Sequence, residues 1–286
     1  MKPLKCRFVS YLNCKKAVRP ANEPFYVRIN RSRSIDELAG KIRLTRNDIQ
    51  FLQPQYLSIP LTSPVETELV LKTFKMGIRF AELGNCGEGE VHMTFCKTAF
   101  SNDPSKAVLL KGAIIDRYVQ RKKMSQGEIV FIDETILHSL KTIDMDIVNG
   151  ERIVMQGITG VNEKTRIKAM LVKGVYCANS LNYLTLNKPI NKKYLLGLFN
   201  SKLINFIFKK FNTNSNVNGY EINNLPIVET NKEIEKSIAS LVDKIISAKK
   251  KNPSIVTTEF ENQIDKIVYA LYRLSPEEIE IVEGSR

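Results

Sequence analysis

Lys and Arg neutralise phosphates, and Arg, Asn and Gln can pair bidentately with base edges in the major groove. The chain groups these residue types at four places. Lys106, Lys111, Arg117, Arg121, Lys122 and Lys123 fall within eighteen residues, interleaved with Tyr118, Gln120 and Gln126. Arg152, Gln156, Thr159, Asn162, Lys164, Arg166 and Lys168 form a second set, Asn179, Ser180 and Asn182 a third, and Asn212, Asn214, Ser215 and Asn216 a fourth. Any one set is ordinary surface. Their recurrence at turns, in a chain with 43 Lys/Arg against 30 Asp/Glu and a net charge of +13, favours a polyanionic partner, duplex DNA first. Residues 231–286 hold nine Lys/Arg and ten Asp/Glu, so a surplus of +14 sits in the first 230 residues: a binding body with a balanced tail. The plainer reading is a basic protein-interaction scaffold whose charge is incidental.

Catalytic constellations are sparse. Two histidines, His92 and His138, without a nucleophile motif argue against a hydrolytic triad, and no GxxxxGK[ST] stretch builds a P-loop. Cys86, His92 and Cys96 are close, but their spacing matches no common zinc pattern. Glu128, Asp133 and Glu134, with Lys141 downstream, are the candidates for a metal-dependent nuclease acting by itself, which needs carboxylates converging on one ion. The odd Glu128–Asp133 spacing puts the two on opposite faces of a straight strand, so solvated carboxylates are the simpler reading. No catalytic, cofactor-binding or metal-ligating residue is assigned to the chain. Gly84, Gly87 and Gly89 read as a linker or turn at a domain boundary, since no strand–glycine–helix context follows.

A chain of 286 residues suggests about two domains. With 43% apolar and 26% charged residues it is an ordinary globular sequence, and no run approaches the ~18 apolar residues of a membrane span. The N-terminus lacks the apolar region of a secretory signal, and five cysteines without tight pairing fit reduced thiols in a cytoplasmic protein. The elements divide the chain into an N-terminal α/β segment (1–85), a β-rich body (86–228) and a C-terminal helical region (229–286). In the first segment, 25–29 reads as a strand, Ser34 and Glu37 as a capping box, and Ser63-Pro64-Val65-Glu66 as the start of a helix running to about Met76. Strands are predicted at 108–110, 128–132, 152–155, 167–172 and 183–186, mostly antiparallel. A helical stripe over 191–211 packs on the sheet, a polar loop fills 212–219, and Leu225-Pro226-Ile227 closes the body. Two amphipathic helices follow, one ending in Lys249-Lys250-Lys251 and one capped by Thr258 and Glu261, and Ser275-Pro276 starts a third. This is an α+β fold: a mostly antiparallel β body with packed helices, followed by a helical hairpin that braces the body or docks a partner.

Glu90-Val91-His92-Met93-Thr94, then Leu109-Leu110-Lys111-Gly112 with Ile115-Asp116-Arg117-Tyr118, resemble a GEV-x-x-T…LLRG-x-x-I-x-RY pattern of target recognition domains in type IIG and IIS restriction–modification enzymes. Arg152–Thr159, Tyr176–Asn182, Tyr194–Leu203 and Leu225-Pro226-Ile227 continue the resemblance in order, and together they resemble the TaqI-like C-terminal specificity domain. The Leu-Pro-Ile block followed by a helix is also similar to specificity subunits of type I systems. The resemblance covers about residues 80–275. It implies a module that reads a short sequence in the major groove and positions an associated adenine methyltransferase using S-adenosylmethionine, often with an endonuclease and its Mg2+. The chain has no Asn/Asp-Pro-Pro-Tyr motif and no nuclease domain, so methyl transfer and cleavage are expected of a partner domain or subunit. The resemblance leaves open a separate subunit, a split gene product or an excised domain. The residues expected to contact DNA are Lys111, Arg117, Tyr118, Gln120, Gln126, Arg152, Gln156, Thr159, Arg166, Asn179, Asn182, Asn214 and Asn216. An RNA-binding protein is a further alternative, without the aromatic signature of the common RNA-binding module.

Overall fold

Ser63 accepts the Glu66 amide while the Glu66 carboxylate accepts the Ser63 amide, and Pro64 fills the first helical position, where no amide is needed. Local chemistry of this kind starts most of the helices in the computed structural model, which describes residues 20–27, 41–123, 127–252 and 254–284. The chain order is β1 (Phe25–Val27), β2 (Ile42–Leu44), α1 (Arg46–Leu52), α2 (Pro64–Met76), β3 (Ile78–Arg79), β4 (Gly84–Glu88), β5 (Phe100–Ser101), β6 (Ala107–Leu110) and β7 (Val130–Ile132). It continues with α3 (Glu134–Leu140), α4 (Met145–Asn149), β8 (Arg152–Gln156), β9 (Ala169–Val172), β10 (Tyr176–Cys177), β11 (Leu181–Leu186), α5 (Lys192–Asn200) and α6 (Lys202–Phe211). Last come α7 (Gly219–Asn223), β12 (Pro226–Ile227), α8 (Lys232–Lys251), α9 (Thr258–Leu271) and α10 (Pro276–Glu283). The Ser34–Glu37 capping box lies outside the described residues.

The fold is α+β, as the sequence predicts. Two four-stranded sheets form the body, in the orders β4-β11-β8-β9 and β10-β6-β7-β5. All pairs within them are antiparallel except β10 with β6. The first sheet is sandwiched. Ile153 and Met155 face the main core with α5 and α6, while Val154, on the opposite face of β8, joins Leu110, Met170 and Leu181 in another buried cluster. The second sheet covers its own core with α3 and α4, through Leu109, Ile132, Leu137 and Val148. The main core runs from Leu52 and Phe74 through Leu195 and Phe199 to Ile238, Val268 and Tyr272, so all three sequence segments contribute to it.

Three local expectations are corrected. The glycine run 84–88 is β4, paired with β11 from Gly84↔Leu186 to Glu88↔Asn182. Glycine is required there by close approach: a Cβ on Gly84 would collide with the Thr185 carbonyl, and one on Gly89 with the Ala178 carbonyl. The stripe 191–211 is two helices, because Ser201 takes an extended conformation, closing α5 and capping α6 at the Ile204 amide. The cap of α9 is Thr257, one residue earlier than expected, with its hydroxyl on the Glu261 carboxylate at 2.6 Å.

The C-terminal helices brace the body. α8 lies on α5 where Gly197 leaves room, a Cβ there falling 2.5 Å from Ile238 Cγ2, and α9 packs on α8. Arg117 from the body pairs with Glu261 of α9 at 2.6 Å and donates to the Asn200 carbonyl at 2.9 Å.

Candidate nucleic-acid interface

Gly157 closes β8, and the chain then leaves the sheet in a loop that returns at Arg166. The 212–218 loop leaves α6 beside it. The Thr159 amide donates to the Ser215 carbonyl at 2.8 Å, the Val217 amide to the Gly157 carbonyl at 2.8 Å, and Ile158 bridges Asn216. Behind them Arg166, only 1% exposed, acts as a pillar. Its Nε donates to Thr159 Oγ1 at 2.8 Å and its Nη2 to the Asn214 carbonyl at 2.8 Å, so one guanidinium binds both loops. Asn212 Nδ2 donates to the Asn216 carbonyl at 2.7 Å and to the Glu221 carboxylate, and Asn182 Nδ2 donates to the Val217 carbonyl. The Asn205 side-chain carbonyl accepts both the Arg166 and Ile167 amides at 2.8 Å, fixing the point where the first loop re-enters the fold.

Members of the second, third and fourth polar sets, Thr159 and Arg166, Asn182, and Asn212 with Asn214, therefore meet, through sequence separations of tens of residues, at one clipped loop pair. Their members divide by role. Thr159, Arg166, Asn182 and Asn212 are buried and hold the backbone. Ile158, Val161, Asn162, Lys164, Thr213, Asn214, Ser215 and Asn216 are exposed. Asn214 still shapes its own loop, its Oδ1 accepting the Asn216 amide at 2.8 Å.

The other expected contacts fall in different settings. Arg152 and Gln156 sit at the two ends of β8, on the Val154 face of a strand covered on both sides, and are interior groups. Arg152 pairs with Glu90 at 2.8 Å and donates to the Val175 carbonyl, and Gln156 Nε2 donates to the Ile115 carbonyl at 2.6 Å. Tyr118 is buried, with its phenol pushed far above its ordinary value by desolvation. Its φ of 70° is the left-handed region, held by its amide on the Ala169 carbonyl at 2.8 Å. Arg117 is engaged with α9. Lys111 reaches the Glu128 carbonyl, and Asn179 is half-buried with its Oδ1 on the Met93 amide at 3.0 Å. Gln120 is exposed, as are Lys122 and Lys123 after it. Gln126 lies outside the described residues.

Gln120 also opens a groove of about 550 Å³ whose floor includes Val172 and Ile246 and whose rim carries Lys173, Lys249 and Lys250. Of the nuclease candidates, Asp133 caps α3 at the Ile136 amide and pairs with Lys106 at 2.9 Å. Among the described residues no cluster of three His, Cys, Asp or Glu side chains suits a metal ion, and no helix is long and apolar enough to cross a membrane.

The segment that carries both sheets' central strands and the clipped loops is similar to a known family. Residues 107–227 match the TaqI-like C-terminal specificity domain. The match begins at β6 and ends at β12, so the loop pair and its pillar Arg166 lie inside the matched segment, while α8–α10 lie beyond it. No curated protein matches the chain. Among solved structures it is similar to the type IIL restriction-modification enzyme MmeI in complex with DNA, with a TM-score of 0.51 and 13% identity over 72% of this chain and 35% of that one. It is also similar to the type IIG restriction endonuclease BpuSI (TM-score 0.44, 10% identity, 82% of this chain and 36% of that one). The HsdS subunit from Thermoanaerobacter tengcongensis is a third neighbour (0.35, 11%, 73% and 50%). The chain spans a third to a half of each of these structures; the MmeI likeness bears on the fold.

The exposed residues of the loop pair were only partly visible in the sequence. Asn162 and Lys164 belong to the second polar set. Ile158 and Val161, apolar yet exposed, carry no polar signal; their place beside Gly157 and Gly160 at a strand end is the clue that was available.

Proposed function

We propose that the chain reads a short sequence in duplex DNA and positions the catalytic part of a restriction–modification enzyme, an adenine methyltransferase using S-adenosylmethionine or an endonuclease, carried on a partner domain or subunit. One observation carries the reading: within the segment that matches the specificity domain, Arg166 ties loops 157–166 and 212–218 together into a unit that presents amide, hydroxyl and apolar side chains outward. Readout of base edges needs side chains held in fixed positions, and a pillar beneath two loops supplies that.

In this reading Asn162, Asn214, Asn216 and Thr213 reach base edges, and Ile158 and Val161 supply apolar contacts of the kind a thymine methyl accepts. Lys122, Lys123 and Lys164 bind phosphates and set register. Arg152, Gln156, Thr159, Arg166 and Asn182 act as positioning residues. The adenine, once out of the stack, belongs to the partner's chemistry. The likeness to MmeI, solved in complex with DNA, supports this reading at the level of fold.

The test is methyl transfer to duplex DNA from labelled S-adenosylmethionine by the partner methyltransferase, with and without this chain. Site-specific transfer only when the chain is present supports the reading. Equal, equally site-specific transfer without it overturns the positioning role.

A further inference from the structure

The Cys96 amide donates to the His92 carbonyl at 2.9 Å, closing one helical turn over residues 92–96. The turn is anchored from behind. Val91 and Cys96 are buried in the core of the second sheet, and Met93 packs against it. The Val91 amide donates to the Cys177 carbonyl and the Asn179 amide to the Val91 carbonyl, both at 2.9 Å, and the Asn179 side chain takes the Met93 amide. Thr94, Phe95, Lys97 and Thr98 remain exposed.

Phe95 is 78% exposed. A phenylalanine this open gains nothing from the hydrophobic effect in the free chain, yet its ring is not loose. It stacks on His92 with centroids 4.2 Å apart and planes 27° apart, and the His92 ring is steadied by its Nδ1 accepting the Thr94 amide at 3.3 Å. The result is a backed aromatic platform at the surface beside a cation, Lys97. The turn hangs from residues 177–180, and the Ser180 carbonyl of that same segment accepts the Gly157 amide at 2.9 Å, where the first recognition loop begins.

We infer that Phe95, backed by His92, is a stacking residue: it packs its ring against a base whose stacking is opened as the duplex binds, at the border of the sequence read by the loops. The inference rests on the DNA reading above and adds to it a residue outside the matched domain segment and a different mode of contact. A flat π-face is complementary to any nucleobase, so the contact is tolerant of sequence, and insertion of an apolar wedge opens a base step for the contacts on either side. Lys97 serves a neighbouring phosphate.

The experiment measures equilibrium binding of the full chain to a duplex across a salt series, for the wild type, Phe95→Ala, Phe95→Trp and His92→Ala. A 2-aminopurine scan of the duplex reports base unstacking. Because the ring is exposed, Phe95→Ala should melt with the wild type. The expected result is binding about 10-fold weaker for Phe95→Ala at fixed salt with an unchanged salt slope, since no phosphate contact is lost, and near-wild-type binding for Phe95→Trp. One 2-aminopurine position should brighten with the wild type and stay dark with Phe95→Ala. Equal affinity and equal 2-aminopurine signal for wild type and Phe95→Ala overturn the stacking role while leaving the DNA reading intact. A wild type with no salt-sensitive binding overturns the DNA reading and this inference with it.

Discussion

Arg166 Nη2 donates to the Asn214 carbonyl at 2.8 Å across 48 residues of sequence, while Nε of the same guanidinium holds Thr159. Two loops that separately would be ordinary surface turns thereby share one internal support, and desolvation lowers the pKa of that guanidinium relative to its ordinary value. Arg166→Ala removes the charge-assisted bonds and leaves the buried Thr159 hydroxyl without its donor, with an expected loss of about 2–4 kcal/mol in stability. Arg166→Lys should restore part of it. In binding, both variants should lose discrimination between a preferred and a mixed duplex more than they lose overall affinity. Urea unfolding and paired competition titrations check this; unchanged stability together with unchanged discrimination would remove the pillar from the account.

Lys164 and Asn162 are exposed on the supported loop, with different expected signatures. Lys164→Ala should weaken binding to all sequences alike and reduce the salt slope by about one phosphate's worth. Asn162→Ala should cost about 1–3 kcal/mol on the preferred sequence alone. A salt series on both variants separates the two roles; an identical slope for Lys164→Ala and wild type would contradict the phosphate assignment.

Arg117 was an expected DNA contact, and the structure ties it to Glu261 at 2.6 Å and to the Asn200 carbonyl. Arg117→Ala should therefore lower stability by about 1–3 kcal/mol, leaving the half-buried Glu261 without its cationic partner and with only the Thr257 hydroxyl. The double variant with Glu261→Ala should show a measurable coupling in a thermodynamic cycle. The salt slope of DNA binding should not move. A slope reduced by about one with stability intact would return Arg117 to the DNA surface.

Gly197 sits where α5 crosses α8, with Ile238 and Val242 filling the space a side chain would need. Gly197→Val should force the helices apart and lower stability by about 1–3 kcal/mol or more, because overpacking a closed contact displaces backbone. Thermal unfolding checks it; an unchanged midpoint would mean that α8 docks more loosely than its contact with Gly197 indicates.

Burial pushes the Cys86 and Cys177 thiols up to about 12. In the unfolded chain they titrate near ~8.5. Between those values the unfolded state has released protons that the native state keeps, so stability falls as pH rises from about 9 toward 12. Urea midpoints at about pH 7.5 and pH 10.5 should differ in that direction. Mapped alkylation of the native chain at pH 8 should leave both thiols unmodified; rapid labelling of either would contradict their burial.

Elements whose signals are local were legible in the sequence. α2 announces itself through Ser63, Pro64 and Glu66, and α10 through Ser275, Pro276 and Glu278. The stripe of α8 and its terminal lysines are equally local. Elements decided by a distant partner were not. Gly84 in β4 and Gly89 just after it are glycines because the Thr185 and Ala178 carbonyls press against them, a reason found about ninety to a hundred residues away. The break at Ser201 hides in an unbroken apolar stripe and shows only through its cap geometry. The site was legible only as composition: parts of three polar sets meet at the loop pair, while Arg117, Arg152, Gln156 and Asn179 are engaged elsewhere. The division of those sets into support and surface was not legible, because whether Arg166 or Lys164 points inward depends on Asn205, placed by another helix.

The central claim is that this chain reads DNA sequence through the clipped loops. The most direct measurement is selection of a randomised duplex library on the full chain at several salt concentrations, with and without S-adenosylmethionine, followed by sequencing of the retained pool. The account predicts an enriched short motif, a steep negative salt slope, and loss of that enrichment when Asn162, Asn214 and Asn216 are replaced by Ala together. Salt-independent retention, or a motif equally enriched by the triple variant, would contradict it.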